Sequence, residues 1–161
     1  MKLLFSTLVL VILFIAVLAV PAEATSPNIV ISQLYLGSGL SPALPTYPYV
    51  ELFNLGSVDV NLQGWTLQYA DESANSWTAY PLSGGLAPGQ YYLIRLSGSS
   101  LTSNPQPDLT IGLALPRARG KIAIVTDSTV LGAGCPVDER IVDRLGYGTS
   151  AWTNPIPSKS S

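Results

Sequence analysis

Glycine and proline interrupt this chain so often that it cannot fold as a helical bundle. There are 14 glycines and 13 prolines in 161 residues. A proline inside a helix removes a hydrogen bond and clashes with the preceding turn, and a glycine there is among the worst helix formers. No amphipathic helical pattern runs between these breaks after residue 25. The segments alternate with a period of two instead. Asn28–Leu36 sets Ile29, Ile31, Gln33 and Tyr35 against Val30, Ser32, Leu34 and Leu36, a strand pattern rich in β-branched residues. In Tyr49–Asn54, Val50 and Leu52 share one face, and Tyr49, Glu51 and Phe53 the other. Val58–Leu62 is a short strand. Trp65–Ala70 places Trp65, Leu67 and Tyr69 on one side, Thr66 and Gln68 on the other. Ser76–Leu82, closed by Pro81, reads as an edge strand. Gln90–Leu96 carries the strongest strand signal, Asp108–Leu115 a weak one, and Lys121–Thr126 and Ile141–Tyr147 clear ones.

The connections are turn-like. Residues 37–48 and 97–107 are loops rich in Gly, Pro and Ser, Asn54–Ser57 is a turn, and Asp71–Asn75 is a polar tip. Pro88-Gly89 has the order a type II turn requires. About seven to nine strands spaced roughly ten residues apart predict an all-β antiparallel sandwich or barrel. Half-buried alternation favours antiparallel pairing, because parallel sheets read as unbroken apolar runs.

The N-terminus is of a different kind. Met1-Lys2 precedes an apolar run over residues 3–20, then Pro21 and Ala22-Glu23-Ala24. A positive start, an apolar middle and an A-x-A exit predict a secretory signal peptide, residues 1–24. The alternative is an uncleaved membrane anchor formed by residues 3–20. Residues 25–152 then form one domain, and 153–161 are a polar tail. A chain of this size buries about two-thirds of its surface, enough for a core without metals or disulfides.

Composition removes whole classes of chemistry. The chain has no histidine and one cysteine. Triads of the Ser-His-Asp or Cys-His type, His-based zinc sites and imidazole switches are therefore out, as is an internal disulfide. Eight basic residues against ten acidic ones make a poor phosphate-backbone binder. No cofactor is expected.

Further resemblance lies in the order of short motifs. Tyr49-Val50-Glu51-Leu52-Phe53-Asn54 is followed by Leu62-Gln63-Gly64-Trp65, then Pro88-Gly89-Gln90-Tyr91-Tyr92-Leu93, Gly120–Val125 and Val142–Gly148. In this order and spacing the chain resembles the lamin-tail domain in its secreted prokaryotic form, over about residues 28–152. The resemblance implies an immunoglobulin-like sandwich without catalytic residues, found in nuclear lamins and beside nuclease or phosphoesterase domains of exported proteins. Three departures stand out. Tyr47-Pro48 replaces an Asn-Asp pair usual in related modules. Those modules often pair a cysteine near Cys135 with one near position 152, where this chain has Trp152. They also continue into a final strand beyond the point where this chain ends.

Candidate sites follow from residue type. Glu51, in an apolar strand, reads as a structural acceptor for backbone N–H groups at a sheet end, or as a general acid. Asp71–Asn75 is a solvated tip or a loose Ca²⁺ site. Asp138, Glu139 and Asp143 sit among Arg140 and Arg144 and read as surface ion pairs. Arg117, Arg119 and Lys121 are the only local positive cluster, read as a solvated strand start. Trp65 is expected in the core. Trp77, Tyr80 and Trp152 read as half-buried residues at the sandwich edge, or as exposed aromatics for stacking on a ligand or anchoring a partner. Cys135 could pair between chains, stay buried and inert, or be the relic of the disulfide that the resemblance implies; the last is preferred.

Two functions are expected. The first is a secreted, non-catalytic module that binds extracellular polysaccharide, protein or DNA, without a dedicated nucleic-acid patch. The second is an accessory module or fragment of an exported nuclease or phosphoesterase whose catalytic domain lies elsewhere. A membrane is a partner only if the N-terminal segment stays uncleaved.

Overall fold

Short β-branched and aromatic runs between glycine and proline breaks build ten strands in a computed structural model that describes residues 28–37, 47–97 and 106–148. The expected leader or anchor, the polar tail and Trp152 lie outside the described residues. The strands are β1 (Ile29–Tyr35), β2 (Tyr49–Asn54), β3 (Val60–Asn61), β4 (Thr66–Ala70), β5 (Thr78–Pro81), β6 (Gly85–Leu86), β7 (Tyr91–Arg95), β8 (Leu109–Thr110), β9 (Gly120–Val125) and β10 (Ile141–Tyr147). One sheet has the order β1-β2-β7-β8 and the other β10-β9-β4-β5; β3 and β6 form a two-stranded ribbon. The described residues are all β with no helix, which accords with an immunoglobulin-like sandwich.

Pro88-Gly89 forms the turn expected of it, and Gly64 forms another. Gly89 has φ +71 and Gln90 N–H donates to Ala87 C=O at 3.1 Å, so Pro88-Gly89 occupies the central positions of a type II turn. Gly64 has φ +88, with Trp65 N–H on Leu62 C=O at 3.0 Å. The L-x-G-W motif is therefore a second tight turn that starts β4.

Between the sheets lies one core: Ile29, Val50, Leu52, Leu67, Tyr92, Ile94, Ile122 and Ile124, closed at one end by Val60, Leu62 and Leu86. Each such side chain taken from water contributes about 1.5–3 kcal/mol. Asn54, the last residue of β2, is 1% exposed. Its Nδ2 donates to Val58 C=O at 2.9 Å and to Leu86 C=O at 2.8 Å, and its Oδ1 accepts Gly56 N–H at 2.8 Å. One buried amide thus fastens β2 to the turn after it and to β6. The Asn of the E-L-F-N motif has a structural task.

Four expectations are corrected. First, the alternation in β1 does not hold throughout. A register shift between Ile31 and Gln33 pairs Ile31 with Leu52 and Gln33 with Glu51. A β-bulge inserts an extra residue and moves the rest of the strand to the opposite face. Ile31 therefore packs on the core, while Gln33 and Tyr35 pair with the outward-facing Glu51 and Tyr49. The Ile31 N–H at the bulge donates to Asp143 Oδ2 on β10 at 2.7 Å, which links one sheet to the other. A matching register shift lies between Ile141 and Asp143.

Second, the half-buried alternation expected of the strands fails in β4, where Thr66 and Gln68, on the side opposite Leu67, are buried too. Gln68 Nε2 donates to Thr129 C=O at 3.0 Å, and Leu131 N–H donates to Gln68 Oε1 at 2.9 Å. The segment after β9 folds back over the outer face of its own sheet. Beneath it a second core gathers Ala70, Trp77, Ala123, Val125 and Leu131. This explains why every residue of β9 is buried in an antiparallel strand: a third layer covers it.

Third, β7 and β8 pair in parallel, Ile94 with Leu109 and Arg95 with Thr110. The connection between them is about a dozen residues, the minimum a parallel crossover needs. Fourth, strands are shorter than their apolar runs. Val58–Leu62 and Asp108–Leu115 reduce to β3 and β8, and β6, masked by two glycines, exists because it pairs with β3.

Candidate functional site

The sequence-selected aromatics part company in space. Trp77 is 5% exposed. Its indole lies in the second core, Nε1–H donates to Ala133 C=O at 2.9 Å, and the Lys121 ammonium sits 5.7 Å from the ring centroid. A ring so enclosed offers no face to a ligand, so Trp77 is withdrawn as a stacking residue. Its polar sequence neighbours hid the covering segment. Tyr80 is half-buried against the main core, and so is Trp65.

The charged candidates separate as well. Lys121 is 1% exposed. Its Nζ donates to Ala74 C=O at 3.1 Å and Gly134 C=O at 2.6 Å, holding the Asp71–Asn75 tip against the covering segment. Arg119 is exposed and paired with Glu72 at 2.8 Å. The basic trio is therefore no cluster: one member is buried structure and one is ion-paired. Tyr69 O–H donates to Asp71 Oδ1; burial first, and then that hydrogen bond, push the Tyr69 hydroxyl well above the usual tyrosine range. No group of three acidic or thiol side chains suited to a metal ion occurs among the described residues.

Arg140 binds both Asp127, at 2.9 Å, and Asp138. The hydrogen bond from Arg140 holds the Asp138 carboxyl below its ordinary range, and the Arg140 guanidinium is raised in turn. Asp143 has a different task, accepting from the β1 bulge. Cys135 is exposed and unpaired.

Glu51 lies mid-sheet rather than at a sheet end. Its Oε1 accepts Ser32 O–H at 2.7 Å, so its partner is a side chain, not the backbone N–H groups expected. Around it the outer face of the first sheet assembles residues that no single sequence motif joins. Strand register sets them in rows. Tyr35 pairs with Tyr49, Gln33 with Glu51, and Val30 with Phe53, which in turn pairs with Tyr91. The Tyr35 and Tyr49 rings lie 5.2 Å apart, and the fully buried Tyr47 meets Tyr49 edge-on at 6.3 Å. Phe53 and Tyr91 lie 4.6 Å apart, and Tyr91 is 62% exposed. Both close pairs are in the range of favourable aromatic contact.

The middle row is polar on β1 and β2, where Gln33 lies beside Glu51, and apolar on β7, where Glu51 pairs with the buried Leu93. Tyr49 O–H donates to Gln33 Oε1 at 2.9 Å. Burial, with the nearby Glu51 carboxylate, raises the Tyr49 hydroxyl above its ordinary range, so it remains a donor at neutral pH. Arg95 lies 5.0 Å over the Tyr47 ring. The arrangement can stack planar or ring-shaped apolar surfaces and hydrogen-bond between them. The signal was present as Tyr-x-Glu-x-Phe in β2 and Tyr-x-Leu-x-Arg in β7, but only the register makes those outer positions neighbours.

Comparison with curated proteins returns no significant match. The family model of the Lamin Tail Domain matches residues 22–149, and that family is one of non-catalytic immunoglobulin-like domains. The E-L-F-N strand with its buried amide, the L-x-G-W turn and the two-sheet order all fall within the matched span, and the chain belongs to the lamin tail domain family.

Proposed function

We propose that this chain is a secreted, non-catalytic binding module and that the outer face of β1, β2 and β7 is its contact surface. The observation that carries this reading is the Phe53–Tyr91 pair, Phe53 half-buried and Tyr91 exposed, set in line with Tyr35–Tyr49 across the Gln33–Glu51 pair. Aromatic side chains left half in water are a common mark of a recognition surface. The family's lack of catalytic residues and the signal-like N-terminus, Met1-Lys2 through Ala24, support the same reading.

The test is co-sedimentation with washed cell-envelope material. The protein is expressed whole and recovered in whatever processed form the cells produce. Binding is expected, and the double substitution Phe53→Ser with Tyr91→Ser is expected to reduce it. A folded protein that stays in the supernatant overturns the reading. Mass spectrometry of the recovered chain reports the N-terminus; a mature start at Thr25 is expected, and a retained residue 3–20 run favours the anchor.

A further inference from the structure

We infer that the ligand class of this aromatic face is a neutral polysaccharide. This rests on the reading of the face as a binding surface. Three features of the face point to the ligand.

The first is the spacing of the aromatics. Tyr49 and Phe53 are four residues apart on one strand, about 13–14 Å at the usual strand rise. A single pyranose ring cannot reach both, so an extended chain of rings is the object that matches. Its ring faces carry C–H groups that pack on the negative faces of the Tyr35–Tyr49 and Phe53–Tyr91 pairs.

The second is the chemistry between the two aromatic pairs. Gln33 and Ser32 are exposed and Glu51 is half-buried. Glu51 Oε1 accepts from Ser32 and Gln33 Oε1 accepts from Tyr49. Glu51 Oε2 and Gln33 Nε2 make no hydrogen bond among the described residues, and the two residues are paired in the strand register, which sets an acceptor and a donor at neighbouring positions. That pair suits a hydroxyl, which needs both at once. An apolar protein surface placed here would strand these groups without partners, at a cost for each.

The third is charge. The centre of the face is a carboxylate, and the nearby cation, Arg95, lies over the Tyr47 ring. A polyanion such as DNA would meet repulsion at Glu51 and too few cations to release its counterions. A neutral chain meets neither difficulty.

The experiment is affinity electrophoresis and depletion on neutral glycans: soluble β-glucan, xylan and galactomannan, with cellulose and chitin as solids. The expressed protein is expected to be retarded by at least one of them, with binding unchanged between about 0.05 and 0.5 M salt. Tyr91→Ala and Tyr49→Ala are each expected to weaken binding about tenfold, as central aromatic contacts do. Glu51→Gln is expected to weaken it less. Val137→Ser, on the segment covering the other sheet, is expected to bind as the parent does. Circular dichroism on each variant separates lost binding from lost fold.

Binding that falls steeply with salt, or that survives Tyr91→Ala and Tyr49→Ala in folded protein, overturns the inference. So does failure on every glycan when periodate oxidation leaves envelope binding intact. The envelope assay distinguishes that failure from a failure of the binding-module reading. Envelope binding abolished by periodate oxidation of the envelope and insensitive to protease supports a saccharide. Envelope binding abolished by protease alone overturns the saccharide and leaves the module.

Discussion

Replacing Asn54 tests the idea that one buried amide holds the end of the sandwich. In Asn54→Ala, three hydrogen bonds disappear: to Val58 C=O, to Leu86 C=O and from Gly56 N–H. Each contributes about 1 kcal/mol net. Val58 is 44% exposed, so its carbonyl can recover a water. Leu86 is 2% exposed, and an unsatisfied buried carbonyl there adds about 1–3 kcal/mol. The expected loss is about 3–5 kcal/mol. The assay is urea unfolding followed by fluorescence of Trp65 and Trp77. With a slope of about 1–2 kcal/mol per molar for a domain of this size, the midpoint falls by about 1.5–5 M.

Asn54→Asp makes the test sharper, since it keeps the volume but sets carboxylate oxygens against two carbonyls. Burial and those carbonyls raise its folded pKa above the unfolded value near about 3.9. The folded state then holds the proton more tightly, so the variant is most stable below about pH 4 and loses stability as pH rises toward the folded pKa. A midpoint for Asn54→Ala within about 0.5 M of the parent, or a pH-independent Asn54→Asp, refutes the reasoning. Asn61→Ala is the control: Asn61 Oδ1 accepts only the exposed Gln63 N–H, and a change within about 0.5 kcal/mol is expected.

Other substitutions probe the remaining layers. Ala133 has φ +68 while its carbonyl receives the Trp77 indole; Ala133→Gly is expected to raise stability by about 0.5–1 kcal/mol, read as a higher urea midpoint. At Gly148, φ is +73 and a Cβ would come within 2.0 Å of Ala118 C=O; Gly148→Ala is expected to cost more than about 2 kcal/mol, seen as a drop in thermal midpoint. Leu67, fully buried between the sheets, is expected to cost about 2–5 kcal/mol when cut to Ala. Burial raises the hydroxyls of Tyr92 and of Tyr147, the latter to about 12. Protonated tyrosine is thus favoured in the folded state, so this contribution is complete below the unfolded pKa of about 10 and is lost as pH rises toward about 12. The urea midpoint should fall across that window.

Much of the fold was legible because local chemistry repeats in a readable period. Tyr49–Asn54, Lys121–Thr126 and Ile141–Tyr147 declare themselves by alternation or by apolar runs. Pro88-Gly89 declares a turn by the φ angles it permits. The candidate site was less legible. The polar sequence neighbours of Trp77 suit an edge or exposed residue, yet Leu131 and Ala133 arrive from more than fifty positions away to cover it. The bulge at Ser32 leaves no mark in composition, yet it decides which way Gln33 and Tyr35 face.

The sequence by itself determined the strand class, the turns and the family, since those depend on each residue's backbone preferences and on motifs of contiguous residues. Tertiary structure alone decided which faces are wet. Alternation states that Thr66 and Gln68 share a side, but a covering segment from residues 127–131 buries that side through hydrogen bonds to Gln68. Alternation equally states that Tyr49, Glu51 and Phe53 share a side. Only the pairing of β2 between β1 and β7 brings Tyr35, Gln33 and Tyr91 beside them. Burial is a property of what lies opposite, and that is fixed by contacts distant along the chain.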